Sequence, residues 1–595
     1  MSDSQSQSQS QTSQETLAER ATRWANEDPD PETKAELLGL LASPDLEKTD
    51  LKDRFAGTLE FGTAGLRGVL GAGPNRMNRA VVLRAAFGLA QHVLAAVPDA
   101  AKRGIVIGYD GRRKSRELAE DSACVFAQAG IRALLFVSVE PTPVTSFAVK
   151  ELGAAAGVMV TASHNPPEYN GYKVYWSNSA QIIEPIDSAI AAAIETAPPA
   201  NKVPRLTLDE ARKRGLLLDL GVPLENRYLE VVRSLEVHRG GSRSFPIVYT
   251  PMHGVGDLLA RRALAEAGFD HVTSVPEQQK PDGAFPTVAF PNPEEKGAMD
   301  LSFALARRLG AKLVLANDPD ADRLAVAVPS RTPGEYTQLT GNQTGILLGH
   351  YLLTEQPVSP GEKRTALASI VSSPMLGSIA KKLGVHYEET LTGFKWIANR
   401  AMQLEKEGYR FLFGYEEALG YTVGSAVRDK DGISAAVLVA EMCATLAARG
   451  RTLLDELDEI YRVYGVYVSS QLSLTRKGAS GAKEIAAMMS HLRETAPKAV
   501  GSHTVVAIGD FETAVRTTND GKTSKLTLPR SNVLVFELEG GSRIIARPSG
   551  TEPKVKFYFD VREEVRSGEA VADAEARATE TGSALRTAFE ALLPK

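Results

Sequence analysis

The chain has 595 residues, 43% of them hydrophobic and 24% charged, with a formal net charge of −5. That length exceeds what one core supports and predicts three or four domains. The slight acidity argues against a general nucleic-acid binder, and no stretch has the uncharged apolar length of a membrane helix.

The two cysteines, Cys124 and Cys443, sit in apolar helical patterns, as small hydrophobes do in a reducing compartment. Residues 1–15 are rich in Ser and Gln, with neither a basic segment nor an apolar run. They predict a disordered tail, no secretory signal and a cytoplasmic protein. Thr16 to Ala42 has helical spacing broken at Pro29-Asp30-Pro31, which predicts an N-terminal helical cap.

Leu59 to Gly68 is a glycine-rich loop with one arginine, Arg67. Bare backbone N–H groups and a forked guanidinium suit an anion such as phosphate; a flexible surface loop with a solvated arginine is the alternative. The following Gly71-Ala72-Gly73 fails as a dinucleotide fingerprint. Arg76 stands at the third glycine position, Pro74 intervenes and no βαβ unit precedes it. Helices near 80–96, 116–129 and 143–152 then alternate with strands at 105–107 and 133–137, the pattern of an α/β domain. In the turn Gly108-Tyr109-Asp110-Gly111-Arg112-Arg113 the arginines meet either phosphate or solvent.

The apolar run Gly157-Val158-Met159-Val160 leads into Thr161-Ala162-Ser163-His164-Asn165-Pro166-Pro167-Glu168-Tyr169-Asn170-Gly171, and Tyr172 to Tyr175 reads as another strand. Ser163 thus lies on a tight turn at the end of a buried strand, where open α/β sheets display reactive groups. By position alone it also suits a turn or helix cap.

A second βα block starts near Leu216. Its Lys312-Leu313-Val314-Leu315-Ala316 enters Asn317-Asp318-Pro319-Asp320-Ala321-Asp322-Arg323, and another apolar run leaves it. Aspartates at 318, 320 and 322 repel one another unless a cation offsets them; a solvated acidic turn is the alternative. An EF-hand is excluded, because Arg323 holds the glycine position and Pro329 the twelfth. Three carboxylates plus a phosphate oxygen suit Mg²⁺. A third block starts near Leu339, with Lys395 beside aromatics in Thr392-Gly393-Phe394-Lys395-Trp396. Glu416-Glu417 follow an apolar strand, and Arg428-Asp429-Lys430-Asp431-Gly432 comes after them. Alone, Lys395 is a surface lysine and the glutamates begin a helix. From Tyr464 the pattern turns to strands. There Arg547-Pro548-Ser549-Gly550-Thr551-Glu552-Pro553 gathers a guanidinium, two hydroxyls and a glycine N–H into a phosphate grip, which a plain β-turn would not require.

These motifs, in this order, resemble those of the α-D-phosphohexomutase superfamily, the phosphoglucomutases and phosphomannomutases. The likeness spans about residues 55–565 and is closest to the phosphoglucomutase-2-like branch. The resemblance implies an α/β fold of three similar mixed-sheet domains plus a C-terminal α+β domain like the TATA-binding protein, around a central cleft. The expected segments are a 1–15 tail and domains at 16–215, 216–338, 339–462 and 463–595. It implies that Ser163 carries a phosphoryl group, with Arg67 and His164 beside it, and that the turn Gly108-Tyr109-Asp110-Gly111-Arg112-Arg113 is largely structural. Asp318, Asp320 and Asp322, together with the Ser163 phosphate, would bind Mg²⁺. Lys173, which matches the family lysine ten residues past the serine, or another nearby base would take a proton. A lysine does so only if burial or neighbouring cations depress its pKa. Arg323, Lys395, Glu416, Ala418, Lys430, Arg547, Ser549, Gly550 and Thr551 would hold the sugar phosphate. Ala418 stands where the family usually has a serine, so one hydroxyl contact to the sugar is absent.

The implied activity is the interconversion of glucose 1-phosphate and glucose 6-phosphate by a monomer or homodimer, with the sugar 1,6-bisphosphate as intermediate and activator. Ribose or mannose phosphates are alternative substrates. A serine phosphatase would need no distal phosphate grip, and a non-catalytic phosphosugar-binding regulator would be expected to have lost Ser163 or an aspartate.

Overall fold

The computed structural model describes residues 15–45, 49–61, 65–476, 481–549 and 554–594. The expected tail, apart from Glu15, lies outside them, as do Gly550 and Thr551. The helical cap forms as Leu17–Glu27 and Pro31–Leu41, with Thr16 and Asp30 capping the two N-termini.

The first sheet has six strands, in the order Leu66–Val69, Tyr169–Tyr175, Ala156–Val160, Ile105–Tyr109, Ala133–Phe136, Leu217–Leu220. The last four are parallel, and Tyr169–Tyr175 runs against its two neighbours. Every residue of Ala156–Val160 and Ile105–Tyr109 is buried, as continuous apolar runs covered on both faces should be. Strand Leu217–Leu220 closes the edge of this sheet. The boundary expected at 215/216 separates this strand from the sheet it pairs with, because the short run Leu217-Leu218-Asp219-Leu220 carries no local sign of its partner.

The second sheet has five strands, ordered Tyr336–Gln338, Ala325–Pro329, Leu313–Ala316, Ile247–Thr250, Val272–Ser274. The third has four, ordered His386–Thr390, Lys363–Ser369, Tyr409–Glu416, Gly420–Val423. The C-terminal unit is an eight-stranded antiparallel sheet with helices Gly481–Glu494 and Val571–Glu590. One hydrophobic cluster runs from Val106 to Phe589 through all four units, so burial continues across their boundaries. No single described helix is long and apolar enough to cross a membrane.

Strands Ala156–Val160, Leu313–Ala316 and Tyr409–Glu416 are interior to their sheets, and the Ser163, Asp318 and Glu416 loops leave or end at their C-terminal ends. That is where parallel α/β sheets leave crevices for ligands.

Candidate active site

Each of these loops holds one non-glycine residue at positive φ: Ser163 at 52°, Ala321 at 56° and Leu419 at 61°. Such backbone costs about 1–3 kcal/mol and persists only where its surroundings impose it. Around Ser163 the imposing residue is Arg112. Its Nη2 donates to the carbonyls of Ser163 (2.6 Å) and Asn165, and its Nη1 to those of Pro166 (2.9 Å) and Tyr169 (3.2 Å). Asp110 lies 3.4 Å from its Nε, and the guanidinium covers the Phe285 ring of the second unit at 4.8 Å. Arg112 is 4% exposed, so its solvated reading does not hold. The signal for it was the Asp-Gly-Arg spacing at a strand end, which is too short to separate a grip on backbone from a grip on phosphate.

The serine and acidic loops meet. Ser163 Oγ donates to Asp318 Oδ2 at 2.6 Å, and His164 Nδ1 lies 3.2 Å from the same hydroxyl. Burial, then the charges of Arg323 and Arg67, keep the His164 imidazole neutral. Asp318, Asp320 and Asp322 are at most 1% exposed, with ligand oxygens all within 4.8 Å of one another. Thr142 donates its Oγ1 to Asp320 Oδ2 (2.7 Å) and its N–H to the Asp320 carbonyl (2.9 Å). Gly254 lets the neighbouring loop press on this one, since a Cβ there would meet Pro319 Cα at 2.3 Å. Asp320 Oδ1 and Asp322 Oδ1 are buried without a hydrogen-bond partner. Orphaned carboxylate oxygens in an all-oxygen donor set fit a hard divalent cation such as Mg²⁺.

Lys173, on strand Tyr169–Tyr175, bridges Asp320 Oδ2 (2.7 Å) and Asp322 Oδ2 (2.9 Å). Against the burial that would strip its proton, these carboxylates hold it as a cation. Lys430 Nζ sits 3.2 Å from Asp322 and 3.0 Å from Asp429. Tyr175 and Gln181 of the first unit pin Asp429 Oδ2, each at 2.8 Å. Arg323 Nε lies 3.9 Å from Asp318 and 3.8 Å from Asp322, and its Nη1 donates to the Ala418 carbonyl at 3.2 Å.

Lys395 is buried over Trp396, not on the surface as its local sequence alone suggested. Burial brings its pKa down to about 8. Glu416 accepts the Gly393 N–H at 2.6 Å. Burial raises its pKa, and Lys430, Arg323 and Arg547 oppose the rise, so four of the expected motifs share one electrostatic neighbourhood. Arg547 pairs across the C-terminal sheet with Lys556, whose pKa is lowered by burial and by Lys554 and Arg547. Ser549 ends the described part of that loop, and Arg67 lies exposed on strand Leu66–Val69.

Family models described as phosphoglucomutase/phosphomannomutase alpha/beta/alpha domains I, II and III match residues 58–200, 226–331 and 340–464. The corresponding C-terminal domain model matches 503–578. The chain belongs to the phosphoglucomutase/phosphomannomutase family. It is accordingly an isomerase that moves a phosphoryl group within a sugar phosphate. It is 38% identical to the phosphopentomutase of Mus musculus over 563 residues, covering 92% of this chain and 90% of that one. It is 42% identical over 490 residues to a Haemophilus influenzae protein named "Probable phosphomannomutase", with 82% and 93% covered. The open form of parafusin, a phosphoglucomutase of Paramecium, shares the mutase fold with a TM-score of 0.64 at 18% identity, with 90% of this chain and 95% of that chain covered.

Proposed function

We propose that this mutase exchanges a phosphoryl group between Ser163 and the two ends of a sugar phosphate, with glucose and ribose 1-phosphates both as substrates. The observation that carries the reading is the 2.6 Å contact of Ser163 Oγ with Asp318 inside the buried acidic cluster. Phospho-Ser163 gives its phosphoryl group to a sugar hydroxyl: the serine O–P bond breaks and a sugar O–P bond forms. The bound bisphosphate turns end for end, and its other phosphate returns to Ser163. Asp318, Asp320 and Asp322, with a phosphate oxygen on Ser163, would hold Mg²⁺, which supplies neutralisation of the phosphoryl oxygens.

Lys173 balances the acidic cluster and aligns two of its carboxylates. The proton of the attacking hydroxyl needs an acceptor, Lys173 or another base within reach of it. Arg547 and Ser549, with Gly550 and Thr551, grip the phosphate that is not reacting. Glu416 and Lys430 contact the ring.

Ala418 supports the ribose reading, because a loop without the usual serine hydroxyl makes fewer demands on ring hydroxyls. The phosphopentomutase named above points the same way. Glucose remains the hexose expected of the motif set. The free thiols of Cys124 and Cys443 accord with a cytoplasmic setting.

The test presents glucose 1-phosphate, ribose 1-phosphate and mannose 1-phosphate separately, each with and without a trace of the matching bisphosphate, and follows product and inorganic phosphate. Isomerised glucose and ribose phosphates stimulated by bisphosphate are expected. Phosphate release without isomerisation would make the protein a phosphatase, and turnover of mannose 1-phosphate alone would refute the substrate assignment.

A further inference from the structure

After strand Lys363–Ser369 the chain runs Ser369-Ile370-Val371-Ser372-Ser373, and this segment faces two ways. Ile370 and Val371 are buried among Phe511, Val533, Ile545 and Tyr558 of the C-terminal sheet. Ser369 and Ser372, which bond each other at 2.8 Å, turn instead to the loop that carries Glu416. The Glu417 N–H donates to Ser372 Oγ at 3.0 Å, and the Glu417 carboxylate lies 3.3 and 3.4 Å from the two hydroxyls. Gly341 allows the tight seat of this loop, since a Cβ there would meet the Glu417 carbonyl at 1.7 Å.

The Ser372 carbonyl accepts from Arg543 Nη2 at 2.6 Å. Arg543 is buried, and its other nitrogens donate to Asp560 Oδ2 and Glu389 Oε1, both at 2.8 Å. Asp560 Oδ1 accepts from Ser469, Ser469 from Asn342, and Asn342 Oδ1 from the Ser373 N–H. The ring closes on the segment where it began. Arg543 also opens strand Arg543–Pro548, which carries Arg547 four residues later. Residues four apart on a strand share a face and lie about 13 Å apart, so the strand moves both together.

From this geometry we infer that Arg543 and Ser372 are positioning residues that couple the placement of the C-terminal phosphate-gripping strand to the Glu416-Glu417 loop. The inference rests on the reading of that loop as a sugar contact. A ring whose only role is to hold two units together would change stability and leave sugar affinity alone. A coupled one makes sugar affinity depend on bonds that touch no substrate.

The experiment measures KM, kcat and thermal midpoint for wild type, Ser372→Ala, Arg543→Lys, the double variant and Glu416→Gln. It uses the full-length protein with saturating Mg²⁺ and bisphosphate, and whichever of glucose and ribose 1-phosphate is turned over. Ser372→Ala should raise KM about fivefold, the worth of one hydrogen bond. It should leave kcat within about twofold, because the chemistry at Ser163 is untouched. Arg543→Lys keeps the charge but not the fork and should act alike. The double variant should fall short of the product of the two effects, since both lie on one path. If Glu416→Gln raises KM while Ser372→Ala and Arg543→Lys lower only the thermal midpoint, the coupling is overturned and the sugar loop stands. If Glu416→Gln leaves KM unchanged, the sugar-loop reading falls and the coupling falls with it.

Discussion

Arg112→Ala should disable the mutase without touching a reacting atom. Arg112 holds four carbonyls of the Ser163 loop from a single guanidinium. Each charge-assisted bond is worth roughly 1.5–3 kcal/mol, but four from one group do not add. Removal also leaves Asp110 buried at 2% exposure without its cation. Losing one partner of a buried pair costs about 3–5 kcal/mol. That exceeds the roughly 1–3 kcal/mol needed to keep Ser163 at positive φ, so the loop should relax. A shift of about 1 Å in Ser163 Oγ costs on the order of a hundredfold in rate. Arg112→Ala should therefore lose at least about a hundredfold in kcat/KM, equivalent to about 2.7 kcal/mol of barrier. Arg112→Lys should lose nearly as much, since an ammonium cannot serve four carbonyls spread around a planar fork. Steady-state rates, intact-mass detection of phospho-Ser163 and a thermal midpoint together make the assay. A folded Arg112→Ala protein within about threefold of wild-type kcat/KM would refute the argument.

Ser163→Ala should lower mutase turnover at least about a thousandfold, because covalent phosphoryl storage has no substitute; near wild-type turnover would remove Ser163 from the reaction. Exhaustive chelation should abolish activity and Mg²⁺ restore it, while Asp322→Ala should weaken Mg²⁺ binding in calorimetry; activity that survives chelation would sink the metal assignment. Arg547→Ala should weaken use of glucose and ribose phosphates by a similar factor, about one to two decades. Glu416→Gln should act unequally on the two sugars, so a substrate-selective loss at Arg547 would contradict the grip. Glu355 is held at about 2 instead of 4.5, chiefly by hydrogen bonds from Arg449. Its depressed pKa gives stability that is present above about 4.5 and lost as pH falls toward 2. The thermal midpoints of wild type and Glu355→Gln should converge as pH falls from about 4.5 toward 2, and a constant gap would count against that pairing.

The sequence by itself determined the α/β class, most helices and buried strands, and the loops that carry Ser163, the three aspartates and Glu416. Those features are local: apolar runs bounded by turn residues mark strand ends, and clustered like charges call for a cation wherever they fold. Tertiary structure decided what depends on partners far away in the chain. Strand Leu217–Leu220 joined the first sheet because edge pairing, not its own pattern, selects a neighbour. Arg112, left by its local sequence between phosphate and solvent, grips the backbone of a loop more than fifty residues away. Lys173 and Lys395 are lysines in polar-aromatic stretches of similar look, yet two carboxylates hold one as a cation while burial draws the other down to about 8. The Arg543 ring lay hidden for the same reason: its members come from five separate segments, and only the docking of the third and fourth units brings their hydrogen bonds within reach.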